Sequence, residues 1–127
     1  MSAVCPVQFQ TLLEPENDEY YISHFDHDGE IVVVSNVTLS ICDVNNKLKW
    51  SKPWLEIYSV EANGDTQLNI YFMIAKAGSK APLMDRTFSF PAQTKRDLWL
   101  IVFRRLVREA WQEYYESIYF IFQVSKN

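Results

Sequence analysis

The feature that most constrains the fold of this chain is an amphipathic stretch that runs from residue 93 to residue 116. Its apolar residues recur at three- and four-residue steps, so they stack on one face of an α-helix. The residues of this face are Trp99, Val102, Phe103, Leu106, Ala110 and Tyr114. Most charged residues, Arg96 among them, fall on other faces, and Pro91 is a natural boundary before the helix. Such a helix needs a large apolar surface to cover.

The residues before this helix are typical of short strands separated by turns. Their β-forming residues and their alternation predict seven strands, at residues 20–26, 30–35, 38–44, 47–50, 55–61, 67–74 and 86–90. Asp28-Gly29 and Asn63-Gly64 are typical of tight hairpins, whereas residues 75–85 carry Gly and Pro and indicate a longer surface loop. The segment after the helix, residues 117–127, fits either a continuation of the helix or an edge strand.

This order of elements predicts a mainly β fold with one long C-terminal α-helix. A seven-stranded antiparallel barrel or sandwich would be capped by that helix. The whole chain, 1–127, would then form a single domain, with a lead-in over 1–18, strands over 19–91, the capping helix over 93–116 and a tail over 117–127. Trp99 and Phe103 are the expected structural anchors at the mouth of the barrel.

Composition and charge exclude several classes of protein. The chain has 127 residues and a net charge of -4, and its first 30 residues carry no Lys or Arg. With no basic excess, it is not a general nucleic-acid binder. No apolar run approaches the roughly 20 residues that cross a bilayer, and the start lacks the pattern of a signal peptide. We therefore expect a soluble, cytoplasmic domain whose two cysteines are reduced.

No residue pattern in the chain is typical of catalysis. His24, Asp26, His27 and Asp28 are four possible metal ligands, but the turn at this point scatters them, so a polar hairpin tip is the simpler interpretation. Cys42 with His24 lacks a third, orienting group, which favours a buried structural cysteine. Paired carboxylates, a Ser-His-Asp set and a phosphate-cradling glycine motif are all missing from the sequence. We predict that the protein is not an enzyme and holds no cofactor or metal.

The best candidate for binding is a cluster of lysines and tryptophans near residue 50. Lys47 and Lys49 share a strand face, and Trp50 or Trp54 would sit at a membrane interface or grip a partner peptide. The candidate binding residues are Lys47, Lys49, Lys52, Trp54, Lys76, Lys80 and Arg86. The alternative is that one tryptophan belongs to the core and the lysines are edge charges that prevent strand pairing.

Part of this sequence resembles a known family. Thr87 to Phe90, followed by residues 95–100 and Phe103, resembles the pleckstrin-homology (PH) superfold, in which a helix tryptophan anchors the helix to the barrel. Residues 19–24, 31–36 and 47–57 are similar to GRAM-like and PH-like domains. The similarity is greatest to the PH-like domain that ends the large bridge-like lipid-transfer proteins of vacuolar protein sorting.

The first hairpin departs from the pattern of this family. Many PH domains hold phosphoinositides with Lys and Arg around this loop, whereas residues 24–30 are acidic and contain neither. An anionic head group would be repelled there. The resemblance then implies a cytoplasmic, peripheral-membrane module that recruits a larger assembly through a small GTPase or adaptor, with at most weak phosphoinositide contact. The alternative is a ligand-holding or catalytic α+β barrel with a cavity beneath the helix.

Overall fold

A computed structural model describes residues 19–73 and 82–125 of the chain. Within these ranges, seven β-strands are followed by one α-helix, in the predicted order. The elements are β1 (Tyr21–His27), β2 (Glu30–Ser35), β3 (Thr38–Cys42), β4 (Leu48–Pro53), β5 (Ile57–Asn63), β6 (Gln67–Met73), β7 (Pro82–Ser89) and α1 (Gln93–Ser125). A single 3₁₀ turn, Trp54–Glu56, joins β4 to β5.

The strands form two antiparallel sheets. The first sheet has the order β1-β2-β3-β4 and the second has the order β5-β6-β7. The prediction of a mainly β fold with a long C-terminal helix is therefore confirmed. The prediction left open a barrel or a sandwich, and the described strands pair in two separate sheets, because strand pairing along the chain stops between β4 and β5, where the 3₁₀ turn intervenes.

The hairpin between β1 and β2 has the geometry that its sequence predicts. His27 pairs with Glu30, and the two residues between them, Asp28 and Gly29, have φ angles of 49° and 75°. A two-residue turn of this kind requires left-handed backbone at both positions, which glycine adopts without steric cost.

The core lies between the two sheets and under the first half of α1. Phe25 from β1 meets Trp99 from α1 with ring centroids 4.7 Å apart, and it also contacts Phe88, Phe90 and Phe103. All five side chains are buried. Aromatic residues bury the largest areas of any side chains, so this cluster joins both sheets to the helix.

Strand β2 is buried on both of its faces, which is what its run of four apolar residues, Ile31 to Val34, indicates. Val32 and Val34 belong to the main core, whereas Val33 packs with Cys42 on the opposite face of the first sheet. Each of the three valines is at most 1% exposed. A continuous apolar run is typical of a strand covered on both sides.

Helix α1 is longer than its periodicity predicted. It continues to Ser125 instead of ending at residue 116, so the segment after residue 116 extends the helix and is not an edge strand. Trp111 of α1 still contacts the second sheet through its Nε1, which donates to the carbonyl oxygen of Ile57 at 3.5 Å. From Gln112 to Tyr119 every side chain is exposed.

Arg96 was predicted only to lie outside the apolar face of the helix, and the structure shows that it is buried. Its side chain is only 4% exposed. One terminal nitrogen donates to the carbonyl oxygens of Gly64 and Gln67, at 3.0 and 2.9 Å, and Nε donates to Asp97 at 2.8 Å. The arginine therefore ties the first turn of α1 to the hairpin between β5 and β6.

Strand β7 begins earlier than the sequence predicted. Residues 82–85 were assigned to a loop, but β7 starts at Pro82, which pairs with Met73 of β6. Proline has no amide hydrogen to donate, and it is tolerated here because β7 is an edge strand and Pro82 is its first residue. The rest of the predicted loop lies outside the described residues.

Candidate functional site

The candidate binding lysines lie on and beside β4, the edge strand of the first sheet. Lys47 and Lys49 are exposed, and Lys52 is half-buried. Lys49 forms a salt bridge with Glu30 at the start of β2, which neutralises its charge locally. Part of the positive charge predicted for this edge is therefore already paired within the chain.

Trp54 is not exposed at the surface, which corrects the expectation that its side chain reaches a membrane interface or a partner peptide. The side chain is fully buried, and Nε1 donates to the carbonyl oxygen of Ser35 at 2.8 Å. Its ring packs on Phe103 of α1, with centroids 5.3 Å apart. The 3₁₀ turn after Pro53 rotates the chain out of the strand and directs Trp54 inward, which alternation along a strand does not reveal. Of the two tryptophans in this region, Trp54 is the one that belongs to the core.

Trp50 and Arg86 form a stacked pair between the two sheets. Trp50 is half-buried on β4, and its ring meets that of Phe72 edge to face, with centroids 5.7 Å apart. The guanidinium carbon of Arg86, on β7, lies 4.9 Å from the centroid of the Trp50 ring. A guanidinium over an indole face is attracted by the negative potential of the ring. The sequence predicted Arg86 as a binding residue but did not predict its contact with Trp50.

The Nε atom of Arg86 is buried and, within the described part of the chain, has no hydrogen-bond partner. Among the described residues, no carboxylate forms an ion pair with Arg86. Buried polar groups in folded proteins are almost always hydrogen-bonded, so an arginine of this kind stands out. The other two predicted cations, Lys76 and Lys80, lie outside the described residues.

The first hairpin separates the side chains that resembled a metal-binding group. His24 and Asp26 are exposed on one face of β1, whereas His27 points to the other side, against the ring of Phe88. The Nε2 atom of His27 accepts a hydrogen bond from the backbone amide of Ser89 at 3.0 Å. Across residues 19–73 and 82–125, no group of three or more His, Cys, Asp or Glu side chains is arranged to hold a metal.

Cys42 is not available as a nucleophile. Its side chain is fully buried and is disulfide-bonded. This finding corrects the expectation that Cys42 is reduced. It also removes the pairing of Cys42 with His24, which lies exposed on β1.

The turn between β3 and β4 is organised by the carboxylate of Asp43. One of its oxygens accepts hydrogen bonds from the amides of Lys47 and Asn45, at 2.9 and 2.8 Å. The bond from the Lys47 amide is the main cause that holds the pKa of Asp43 below its ordinary value of 3.8. This arrangement fixes the position of Lys47 at the start of β4.

The second half of α1 exposes a group of apolar side chains that the sequence prediction did not treat as a surface. Tyr114, Tyr115, Ile118 and Tyr119 are all more than 40% exposed. Tyr115, Ile118 and Tyr119, with Glu116, line an open cleft of about 570 Å³. The sequence does contain a pattern that indicates this face. Trp111, Tyr114 and Ile118 follow one another at three- and four-residue steps, so the apolar helical spacing continues beyond the part of α1 that packs on the sheets.

Two antiparallel sheets of four and three strands, followed by a long C-terminal helix, agree with the PH-like fold that the sequence resemblance predicts. In a search of solved structures, the chain is similar to a DUF1696 family protein with a pleckstrin-homology domain from Shewanella loihica PV-4. The two are 18% identical, the match covers 79% of this chain and 96% of that one, and the TM-score is 0.48. No family model and no curated protein matches the chain.

These comparisons do not support the finer resemblance to bridge-like lipid-transfer proteins, which stays a prediction. Among the described helices, none is both long enough and apolar enough to span a membrane.

Proposed function

We propose that this chain is a non-catalytic, PH-like adaptor module that recruits a larger protein assembly to a membrane by binding a protein partner. A small GTPase or an adaptor is the kind of partner that the resemblance implies. Phosphoinositide contact is at most weak in this proposal. The proposed location is the cytoplasmic side of a membrane, to which the module is peripherally bound.

The packed interior is the observation that carries this proposal. The rings of Phe25, Phe88, Phe90, Trp99 and Phe103 fill the space under α1, with centroid distances of 4.7 to 6.3 Å between the pairs in contact. A carrier of a small molecule needs a cavity of several hundred cubic ångströms, on the order of 300 or more. The interior therefore supports a function carried by the outer surface and argues against the alternative of a ligand-holding barrel.

The charges around the first hairpin support a protein partner over a lipid head group. Asp26 and Asp28 are exposed at this hairpin, and Glu30 already neutralises Lys49. A phosphoinositide head group carries several negative charges and needs a cluster of unpaired cations. A protein surface with its own pattern of charges has no such requirement.

Vesicle flotation tests the preference for a protein partner. The probes are neutral phosphatidylcholine vesicles, the same vesicles with phosphatidylserine, and the same vesicles with a phosphoinositide, each at low and at physiological salt. We expect little flotation with any of the three, because the first hairpin repels anionic head groups. Strong, salt-sensitive binding that is selective for the phosphoinositide would overturn the proposal.

The localisation of a fluorescent fusion protein tests which surface of the module is needed for its recruitment to the membrane. The double variant Lys47→Glu/Lys52→Glu reverses two charges on and directly before β4, and Lys95→Glu/Arg108→Glu is the matched control on exposed parts of α1. We expect the β4 variant to lose its membrane-associated signal and the helix variant to keep it. Equal behaviour of the two variants would show that β4 is not the recruiting edge.

A further inference from the structure

Arg86 is half-buried at the boundary between the two sheets, with its Nε atom buried beside Trp50. In the register of the second sheet it lies opposite Ile70, which is fully buried and faces the core. Neighbouring residues across an antiparallel pair share one face, so Arg86 projects to the same side. Trp50 likewise lies opposite Ile41, a core residue of β3. The two side chains therefore meet where β4 and β7, both edge strands, approach each other.

Arg86 lacks the hydrogen bonds and the counter-charge that a purely structural buried arginine normally has. Its Nε donor is buried and has no acceptor among the described residues, and no described carboxylate pairs with its charge. Arg96 shows the contrast, since that buried guanidinium makes three hydrogen bonds. A buried donor without an acceptor costs free energy that an incoming acceptor recovers. The contact of its guanidinium with the Trp50 ring restricts the position of the side chain, which lowers the entropy cost of binding such an acceptor.

We propose that Arg86 and Trp50 form a carboxylate-binding site for an extended acidic segment of the protein partner. The proposal deepens the function proposed above and rests on it. A carboxylate matches the planar fork of a guanidinium and accepts two hydrogen bonds from it. Lys52 lies on the same edge strand and Lys47 directly precedes it, so the two lysines add positive charge before and after Trp50 along the chain. An extended segment with alternate acidic residues presents one carboxylate to Arg86 and its neighbours to the lysines.

A titration followed by NMR tests the proposal on the full chain. The probe is a short peptide that alternates glutamate with valine, and its control replaces each glutamate by glutamine. We expect the glutamate peptide to shift the Arg86 Nε–H and the Trp50 indole N–H resonances saturably, and the glutamine peptide to leave them in place. Arg86→Gln should weaken binding about tenfold or more, whereas Arg108→Gln, on the exposed face of α1, should leave it unchanged.

Stability measurements separate a binding role from a structural one. Arg86→Met keeps the length of the side chain but removes the charge and the unpaired donor, so we expect the melting temperature to stay the same or rise while peptide binding is lost. A clear fall in melting temperature, larger than that of Arg108→Met, would assign Arg86 a structural role and overturn the proposal.

Three results would overturn the proposal of a carboxylate site and leave the proposed adaptor function standing. They are the absence of a shift with the glutamate peptide, equal shifts with both peptides, and shifts only with phosphoinositide-free phosphatidylserine vesicles. In each case the effect of Lys47→Glu/Lys52→Glu on localisation would still report on the adaptor function by itself. The opposite pair of results would overturn the adaptor function instead. In that case Lys47→Glu/Lys52→Glu would leave localisation unchanged, while the glutamate peptide would still bind in a way that depends on Arg86.

Discussion

The same residue type has different roles at neighbouring positions of this chain, and the difference arises from partners distant in sequence. Trp50 and Trp54 are four residues apart, yet one is half-buried at a sheet edge and the other is fully buried beneath α1. Arg86 and Arg96 are both removed from solvent in part, yet only Arg96 finds carbonyl acceptors. Hydrogen-bonding partners, more than residue type, therefore separate the structural members of these pairs from the candidate functional ones.

Arg96 is expected to be a major source of stability at the residue scale. Arg96→Ala removes a buried side chain together with its charge-assisted hydrogen bonds to the carbonyl oxygens of Gly64 and Gln67, and we expect a loss of about 1–3 kcal/mol in the free energy of unfolding. Lys95→Ala, at the exposed neighbouring position, should change it by less than about 0.5 kcal/mol. Urea denaturation of both variants makes the comparison, and equal effects would contradict the role assigned to Arg96.

Asp43 is expected to make the stability of the chain depend on pH in the acidic range. Its pKa is lowered in the folded state from the value of 3.8, mainly by the amide of Lys47, so the charged form is the one that folding favours. The stabilisation is thus complete above the unfolded pKa and is lost as pH falls through the lower, folded pKa. Carbon-detected titration of the carboxyl group should give a pKa below 3.8, and a pKa at or above that value would show that the turn does not stabilise the charge.

At the scale of elements, α1 has two parts with different environments. Trp99, Phe103 and Leu106 pack into the core, whereas Gln112 to Tyr119 extend past the sheets with exposed side chains. The first part needs the sheets for its stability, and the second part holds its helical form by continuing an existing helix, since adding a residue to a helix is easier than starting one. This is why periodicity predicted where the helix begins but not where it ends.

Two substitutions in α1 distinguish these parts. Phe103→Ala should lower the free energy of unfolding by about 3–5 kcal/mol, because it leaves a cavity among Trp54, Phe88 and Trp99. Ile118→Ala, at a position that is 43% exposed, should lower it by less than about 1 kcal/mol. Thermal or urea unfolding measures both, and a large effect at Ile118 would mean that the second half of α1 is covered in solution.

At the scale of the whole molecule, the helix closes a two-sheet structure whose interior is filled by aromatic side chains. Phe25 contacts side chains from β7 and from α1, so the packing of one sheet depends on the other sheet and on the helix. His27 adds a polar link between the sheets by accepting the amide hydrogen of Ser89. With the interior occupied in this way, binding is expected on the outer surface, where β4 and β7 bring Trp50 and Arg86 together.

The sequence by itself determined the order of the elements, the tight hairpin at Asp28-Gly29, the doubly buried β2 and the apolar face of α1. These features depend on the spacing of apolar residues and on the backbone preferences of single residues, both of which can be recognised from neighbouring positions in the sequence. Only the tertiary structure decided that the strands form two sheets, that Trp54 and Arg96 are buried, and that Trp50 stacks on Arg86. The burial of Trp54 and Arg96 depends on distant partners, since Trp54 bonds to Ser35 across 19 positions and Arg96 bonds to Gly64 and Gln67 across 32 and 29 positions. Which distant groups meet is set by the packing of the complete fold, and no local pattern specifies it.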